Sequence, residues 1–146
     1  MSQAKDPAPI APRPPNRCFG CGAANPGGLR LQFSLTEDLT VVSQAEISRD
    51  FEGHPGYLHG GVIATLLDEA MSKAVRARGV NAMTRHMEVD YLRPAPSGSA
   101  LRIEGRVTRN EGRKHWSEGR ILNSHGTVLA HGHGLFIEVT TRPSEH

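Results

Sequence analysis

The stretch Gly56-Tyr57-Leu58-His59-Gly60-Gly61-Val62-Ile63-Ala64-Thr65-Leu66-Leu67-Asp68-Glu69-Ala70-Met71 decides the fold. A His and two Gly run straight into apolar residues at helical spacing, with two acids among them. Successive helix residues step by about 100°. Ile63, Leu66, Leu67, Ala70, Met71 and Ala74 therefore share one face, a broad apolar stripe expected to lie against a sheet. The spacing predicts one long helix over Gly61 to Arg78, closed by Gly79 as a left-handed cap.

The chain on either side has a period of two, the signature of strands. Leu29, Leu31, Phe33 and Leu35 alternate with Arg30, Gln32 and Ser34, and Val41 to Ile47 reads as a second strand after the turn Thr36-Glu37-Asp38. Asp50 to Tyr57 is a Gly/Pro loop. Beyond the helix, strands are predicted over Thr84 to Arg93, Leu101 to Arg109, Trp116 to Asn123 and Val128 to Val139. Pro94-Ala95-Pro96-Ser97-Gly98 stops the first, and Ser124-His125-Gly126 turns between the last two. Short connections mean antiparallel pairing, so the class is α+β, one helix packed on a curled antiparallel sheet.

With 146 residues the chain reads as one domain. Residues 1–16 carry five prolines and little that could be buried, so they are expected to form a flexible tail ahead of a domain over residues 17–142. The net charge of +2 is spread, which offers no patch for nucleic acid. No run approaches a membrane span and no apolar signal core opens the chain, so a soluble, cytoplasmic protein is expected. Only 37% of residues are hydrophobic, a lean supply for a long buried helix, which suggests that a second copy covers part of the apolar surface.

The two acids separate on the helical wheel. Glu69 falls opposite the stripe beside Thr65, Lys73 and Arg76, with Lys73 at the favourable i+4 spacing, and is expected on a solvated face. Asp68 flanks the stripe on a strip of small residues, Gly61, Ala64 and Ser72, which leaves room for something to approach. Wheel geometry alone leaves two readings of Asp68 open: a functional carboxylate, or one paired with an Arg at an interface. At the helix start, Gly60 and Gly61 expose backbone N–H groups at the positive end of the dipole, a ready site for a developing oxyanion. His59 stands just outside, placed to orient the loop or donate to the same oxygen.

"LHGGVIATLLDEA", with Asp68 nine residues after His59, resembles the signature of hotdog-fold acyl-CoA thioesterases of the PaaI type. "RCFGCGAANPGGLRLQF" resembles the entry segment of one branch of that family, "MTRHMEVDYLRPAPSG" the strand after the central helix, and "GTVLAHGHGLFIEV" the closing strand. The resemblance implies a hotdog that pairs as a homodimer and doubles to a homotetramer, with active sites at the subunit interface. It implies hydrolysis of acyl-CoA thioesters, with coenzyme A entering as part of the substrate and no separate cofactor. By the same resemblance Gly60 N–H would hold the thioester carbonyl, with His59 beside it. Asp68 from the partner would supply attack as nucleophile or general base, and Thr84 would help hold the water. Gly61 would line the substrate site; Arg93, Arg109, Arg113 and Lys114 are candidates for the nucleotide. Many family members carry an Asn before the His-Gly-Gly, where this chain has Gly53-His54, and His54 is the candidate replacement.

Cys18-Phe19-Gly20-Cys21 is half of a zinc knuckle with no second Cys pair to complete it. His131 and His133 share a strand face and are the remaining ligands to imagine, but the expectation is no metal and a structural turn packing against the dimer. A redox role is disfavoured because no helix start follows the pair. Two rivals to hydrolysis remain: a non-catalytic hotdog protein that binds acyl-CoA or an aromatic ligand, and a dehydratase. The second needs an Asp-x-Asn-Pro-x-His type of run, and Asn25-Pro26 is followed here by Gly27-Gly28-Leu29.

Overall fold

Seven strands and one helix carry the chain in the computed structural model, which describes residues 8–10 and 16–140. The strands are β1 (Ala8–Pro9), β2 (Ser34–Leu35), β3 (Val41–Glu46), β4 (Ala82–Tyr91), β5 (Ala100–Glu111), β6 (Lys114–Leu122) and β7 (Val128–Glu138), and the helix is α1 (Gly60–Arg76). They form one antiparallel sheet in the order β1-β2-β3-β5-β6-β7-β4, which is the α+β arrangement expected. Gly79, at φ 81°, follows the helix as the left-handed residue its position demands.

The apolar stripe lies on the sheet as its spacing requires. Leu66, Leu67, Ala70 and Met71 are all fully buried, and burying a Leu or Met side chain contributes about 1.5–3 kcal/mol. What lets the helix settle is a row of glycines. Gly105, Gly119 and Gly132 stand opposite one another on β5, β6 and β7. A Cβ at Gly105 would lie 2.3 Å from the Ala70 carbonyl oxygen, and one at Gly119 would be 3.2 Å from Met71. Side chains in that row would lift the helix from the sheet.

The segment Leu29 to Leu35 corrects the sequence expectation. Leu31 and Phe33 are buried as the alternation requires, but only Ser34 and Leu35 are strand. Arg30 takes φ 50°, which breaks the extended run. The Leu29 and Leu31 N–H groups donate instead to Phe19 and Gly20 carbonyls, at 2.8 and 2.9 Å. These bonds fold the Cys18–Cys21 turn onto the outer side of α1. Within the expected tail, Ala8 and Pro9 pair with Leu35 and Ser34, and Ile10 packs on the core. Residues 1–7, 11–15 and 141–146 lie outside the described residues.

β4 is an edge strand, paired on one side only, by β7. Most of its ten residues are exposed or half-exposed, and none is fully buried. Among the described residues no helix is long and apolar enough to cross a membrane.

Candidate active site

The helix tip is built by its cap. His59 is the N-cap residue, with its backbone extended and its ring Nδ1 accepting from Gly61 N–H at 2.9 Å. That is the capping bond Ser or Asp usually makes. The His59 carbonyl takes the N–H groups of Val62 and Ile63 at 2.9 and 3.1 Å. Of the orphan donors that open every helix, the Gly60 N–H is then left without a partner among the described residues. Accepting at Nδ1 assigns the ring proton to Nε2, so His59 presents a second donor outward. Tyr91 at the end of β4 donates its hydroxyl to the Gly60 carbonyl at 2.8 Å and fixes the tip against the edge strand.

Gly53 explains part of the loop. A Cβ there would meet His59 Cα at 3.2 Å, so the loop backbone presses on the cap. His54 is exposed, and its carbonyl closes the turn by accepting from Tyr57 N–H. Its ring makes no hydrogen bond among the described residues.

Two turns along α1, Asp68 is half-buried and accepts from the Thr84 hydroxyl at 2.7 Å. Its partner is thus neutral, where one sequence reading had expected an Arg. Burial pushes the Asp68 carboxyl above its ordinary value; the Thr84 hydrogen bond opposes this, Glu69 adds to the rise and Lys73 reduces it. A carboxylate raised by burial, with a neutral donor beside it, is a stronger proton acceptor than a free one.

Glu69 departs from expectation. The solvated face foreseen for it is roofed by the Cys18–Cys21 turn, leaving the Glu69 and Lys73 side chains only 13% and 12% exposed. Gly20 lies so close that a Cβ would meet the Glu69 carboxyl carbon at 2.4 Å. Lys73 Nζ lies 3.5 Å from Glu69 and donates to Cys21 Sγ at 3.1 Å, while Cys18 Sγ donates to Glu69 at 3.6 Å. Burial pushes the Cys21 thiol up to about 11, against the lowering from Lys73. The turn therefore packs on its own chain's helix. The His131 and His133 rings stand on the far side of the sheet, so the two pairs do not converge on one ion.

The four basic candidates do not gather. Arg93 N–H bonds the Leu129 carbonyl, at one end of β7. The Arg113 guanidinium bonds the Glu138 carbonyl, at the other end, and Lys114 pairs with Ile137 beside it. Arg109 lies 3.9 Å over the Trp116 ring and pairs with Glu111 at 2.9 Å. At about 3.4 Å per residue these groups span roughly 30 Å of strand. A depression of about 540 Å³ lined in part by Thr36, Arg102, Glu104, Arg106, Glu118 and Arg120 is on the outer sheet face, away from Gly60 and Asp68. Tyr91 is the site contact that sequence reasoning missed. Its signal was its place in the inward phase of β4, with Val89 and Met87.

Comparison with known proteins identifies relatives of the chain. A family model described as "Thioesterase superfamily" matches residues 55–130, just over half of the chain. Acyl-coenzyme A thioesterase PaaI of Escherichia coli (strain K12) is 30% identical over 98 residues, covering 67% of this chain and 69% of that protein. Acyl-coenzyme A thioesterase THEM4 of Xenopus laevis is 36% identical over 58 residues, 40% of this chain; the matched region spans only 26% of that relative's length. The crystal structure of the BH2602 protein from Bacillus halodurans with CoA superposes with a TM-score of 0.69 at 26% identity, covering 78% of this chain and 77% of that one.

Proposed function

The chain belongs to the thioesterase superfamily, and we propose that it hydrolyses acyl-CoA thioesters at a site shared between two copies. The observation that carries this is the pairing of an unpartnered Gly60 N–H at a histidine-capped helix tip with a half-buried Asp68 held by a neutral hydroxyl. The first suits a developing oxyanion and the second a general base.

Helix geometry decides how they combine. Eight residues at about 1.5 Å each separate Gly60 and Asp68 by about 12 Å along the axis. No single thioester carbon can touch both within one chain. A second copy pairing along the open edge of β4 would bring its own Asp68 toward this chain's Gly60, and CoA bound to relatives such as the Bacillus halodurans protein supports the choice of thiol carrier. Asp68 would take a proton from water, and the oxygen would add to the thioester carbonyl. The oxyanion would rest on Gly60 N–H with His59 Nε2–H beside it. The C–S bond would then break, and the CoA thiolate would leave with the proton. Thr84 would keep Asp68 oriented throughout.

The test is a thiol-release assay over short, medium, long and aryl acyl-CoAs, with Asp68→Asn beside the native chain. The expected result is turnover of at least one class and its loss by about 10²–10⁴-fold in the variant, the usual worth of a positioned base. Ligand binding with no CoA release from any substrate would favour the non-catalytic reading, which the exposed His54 in place of the family's Asn supports.

A further inference from the structure

On the sheet face turned away from α1, β7 sends out two imidazoles. His131 and His133 are two residues apart, so both leave the same face. Their rings meet edge to face with centroids 4.4 Å apart. Glu118 of β6 stands directly opposite His133, and a ligand-capable atom from each of Glu118, His131 and His133 lies within 4.8 Å of the others. On the other flank, β4 sets Glu88 opposite His133 and Asp90 opposite His131. Directly opposed residues share a face, so the histidine pair is bordered by carboxylates on both sides.

Arg106 stands directly opposite Glu118 on β5 without forming an ion pair with it among the described residues, so an ion would share Glu118's surroundings with one guanidinium; the next two arginines are committed elsewhere. Arg120, opposite His131 on β6, is committed to Glu104 at 2.6 Å, and Arg102 holds the same carboxylate at 2.6 Å. Burial pushes Glu104 up, but the two arginines together hold it below its ordinary value. Neither guanidinium is paired with Glu118.

We infer that His131, His133 and Glu118 form a site for a divalent transition-metal ion of the zinc class, against the metal-free expectation from sequence. Imidazole nitrogen and carboxylate oxygen are ordinary zinc ligands, and three of them leave a fourth position for water. Bonds of about 2.0–2.2 Å need only small rotamer changes from a cluster this tight. By register Asp90, opposite His131, is placed to accept that histidine's second ring N–H and hold its orientation, as carboxylates around ligating histidines do, while Glu88, opposite His133, lies 3.4 Å from His86 and would have to turn from it to do the same. A bound ion would tie β6 to β7, the strand on which edge strand β4 hangs.

The other chemically suggestive group is less suited. Cys18, Cys21 and Glu69 also lie within 4.8 Å of one another, but Lys73 already sets its ammonium between Cys21 and Glu69. A metal there would have to displace a built-in cation.

The experiment titrates the tag-free full-length chain with Co²⁺, read by visible absorption, and with Zn²⁺ by competition and thermal midpoint. One saturable equivalent is expected, without thiolate charge-transfer bands, and Zn²⁺ should raise the midpoint. His131→Ala/His133→Ala should lose the absorption and the Zn²⁺ shift while its circular dichroism stays native, and Cys18→Ser/Cys21→Ser should keep both. Absence of saturable binding in the native chain overturns the assignment. So does binding that survives in the histidine variant or disappears in the cysteine variant.

Discussion

The two sides of α1 treat adjacent carboxylates in opposite ways. Asp68 faces the edge strand with, among the described residues, only the Thr84 hydroxyl for a hydrogen-bond partner, and burial pushes its carboxyl up. Glu69, one residue on, is roofed by the Cys18–Cys21 turn and given a lysine. A charge that is neutralised is structural material, whereas one left with a neutral donor keeps its capacity to take a proton. On the proposed function, one helix would serve as scaffold on one side and as reagent on the other.

The comparison breaks hardest at the helix tip. Gly60→Pro removes the N–H and sets a ring carbon in its place, with its Cβ at ordinary contact distance from Tyr91; the helix should tolerate it, because proline is accepted at the first helical position and His59, at ψ 141°, is already in the conformation proline requires of its predecessor. Turnover should fall by about 10²–10³-fold with native circular dichroism, the usual loss for one oxyanion donor. Mixing sharpens the test. Gly60→Pro and Asp68→Asn chains refolded together should recover about a quarter of native activity, because half of random dimers are mixed and each holds one intact shared site. Two dead homodimers and no recovery would mean that each site lies within one chain.

Thr84→Val removes the bond that holds Asp68 down, so the carboxyl should rise further. The acid limb of the pH–rate profile should move to higher pH, with the largest loss below neutrality. Stability carries the opposite sign. Since burial raises Asp68 in the folded state, folding binds its proton more tightly, and stability falls as pH climbs from the ordinary carboxylate value through the raised one. Asp68→Asn should therefore unfold at higher temperature than the native chain at neutral pH, and the gain should vanish in acid.

The smallest catalytic effect is expected on the roofed side. Lys73→Met strands a mostly buried Glu69 and should cost about 1–3 kcal/mol of stability. Denaturant unfolding measures that loss, while turnover should change only a few-fold. Adding Glu69→Gln should restore part of it.

The periodicity of residues 63–74 is enough to orient the helix, and the strip of small residues marks Asp68 while leaving open whether it is functional or paired. Antiparallel pairing follows from the short connections, but strand order does not: β4 precedes β5 in the chain yet pairs with β7 at the far edge. What could not be read is contact between distant segments. The wheel gives the angle of Glu69 but knows nothing of a turn about fifty residues upstream that covers it. Alternation at Leu29 to Leu35 reported burial correctly and strand wrongly, because a buried extended segment bonded to a turn has the same pattern as one bonded to a sheet. Thr84 was legible only through family likeness, since its role depends on register with the helix. Nothing in the alternation of their strands marks Gly105, Gly119 and Gly132 as the places where the helix rests, since that depends on which strands lie side by side under it.

That glycine row has a consequence for what the protein can accept. With the Ala70 carbonyl set almost against the bare backbone of β5, the seam between helix and sheet is shut to anything as thick as a methylene chain. A hydrocarbon tail entering at the helix tip cannot thread the middle of the domain. If the site is shared as proposed, such a tail would lie along the flank, where selectivity for length would be set by the neighbouring copy instead of by an internal tunnel.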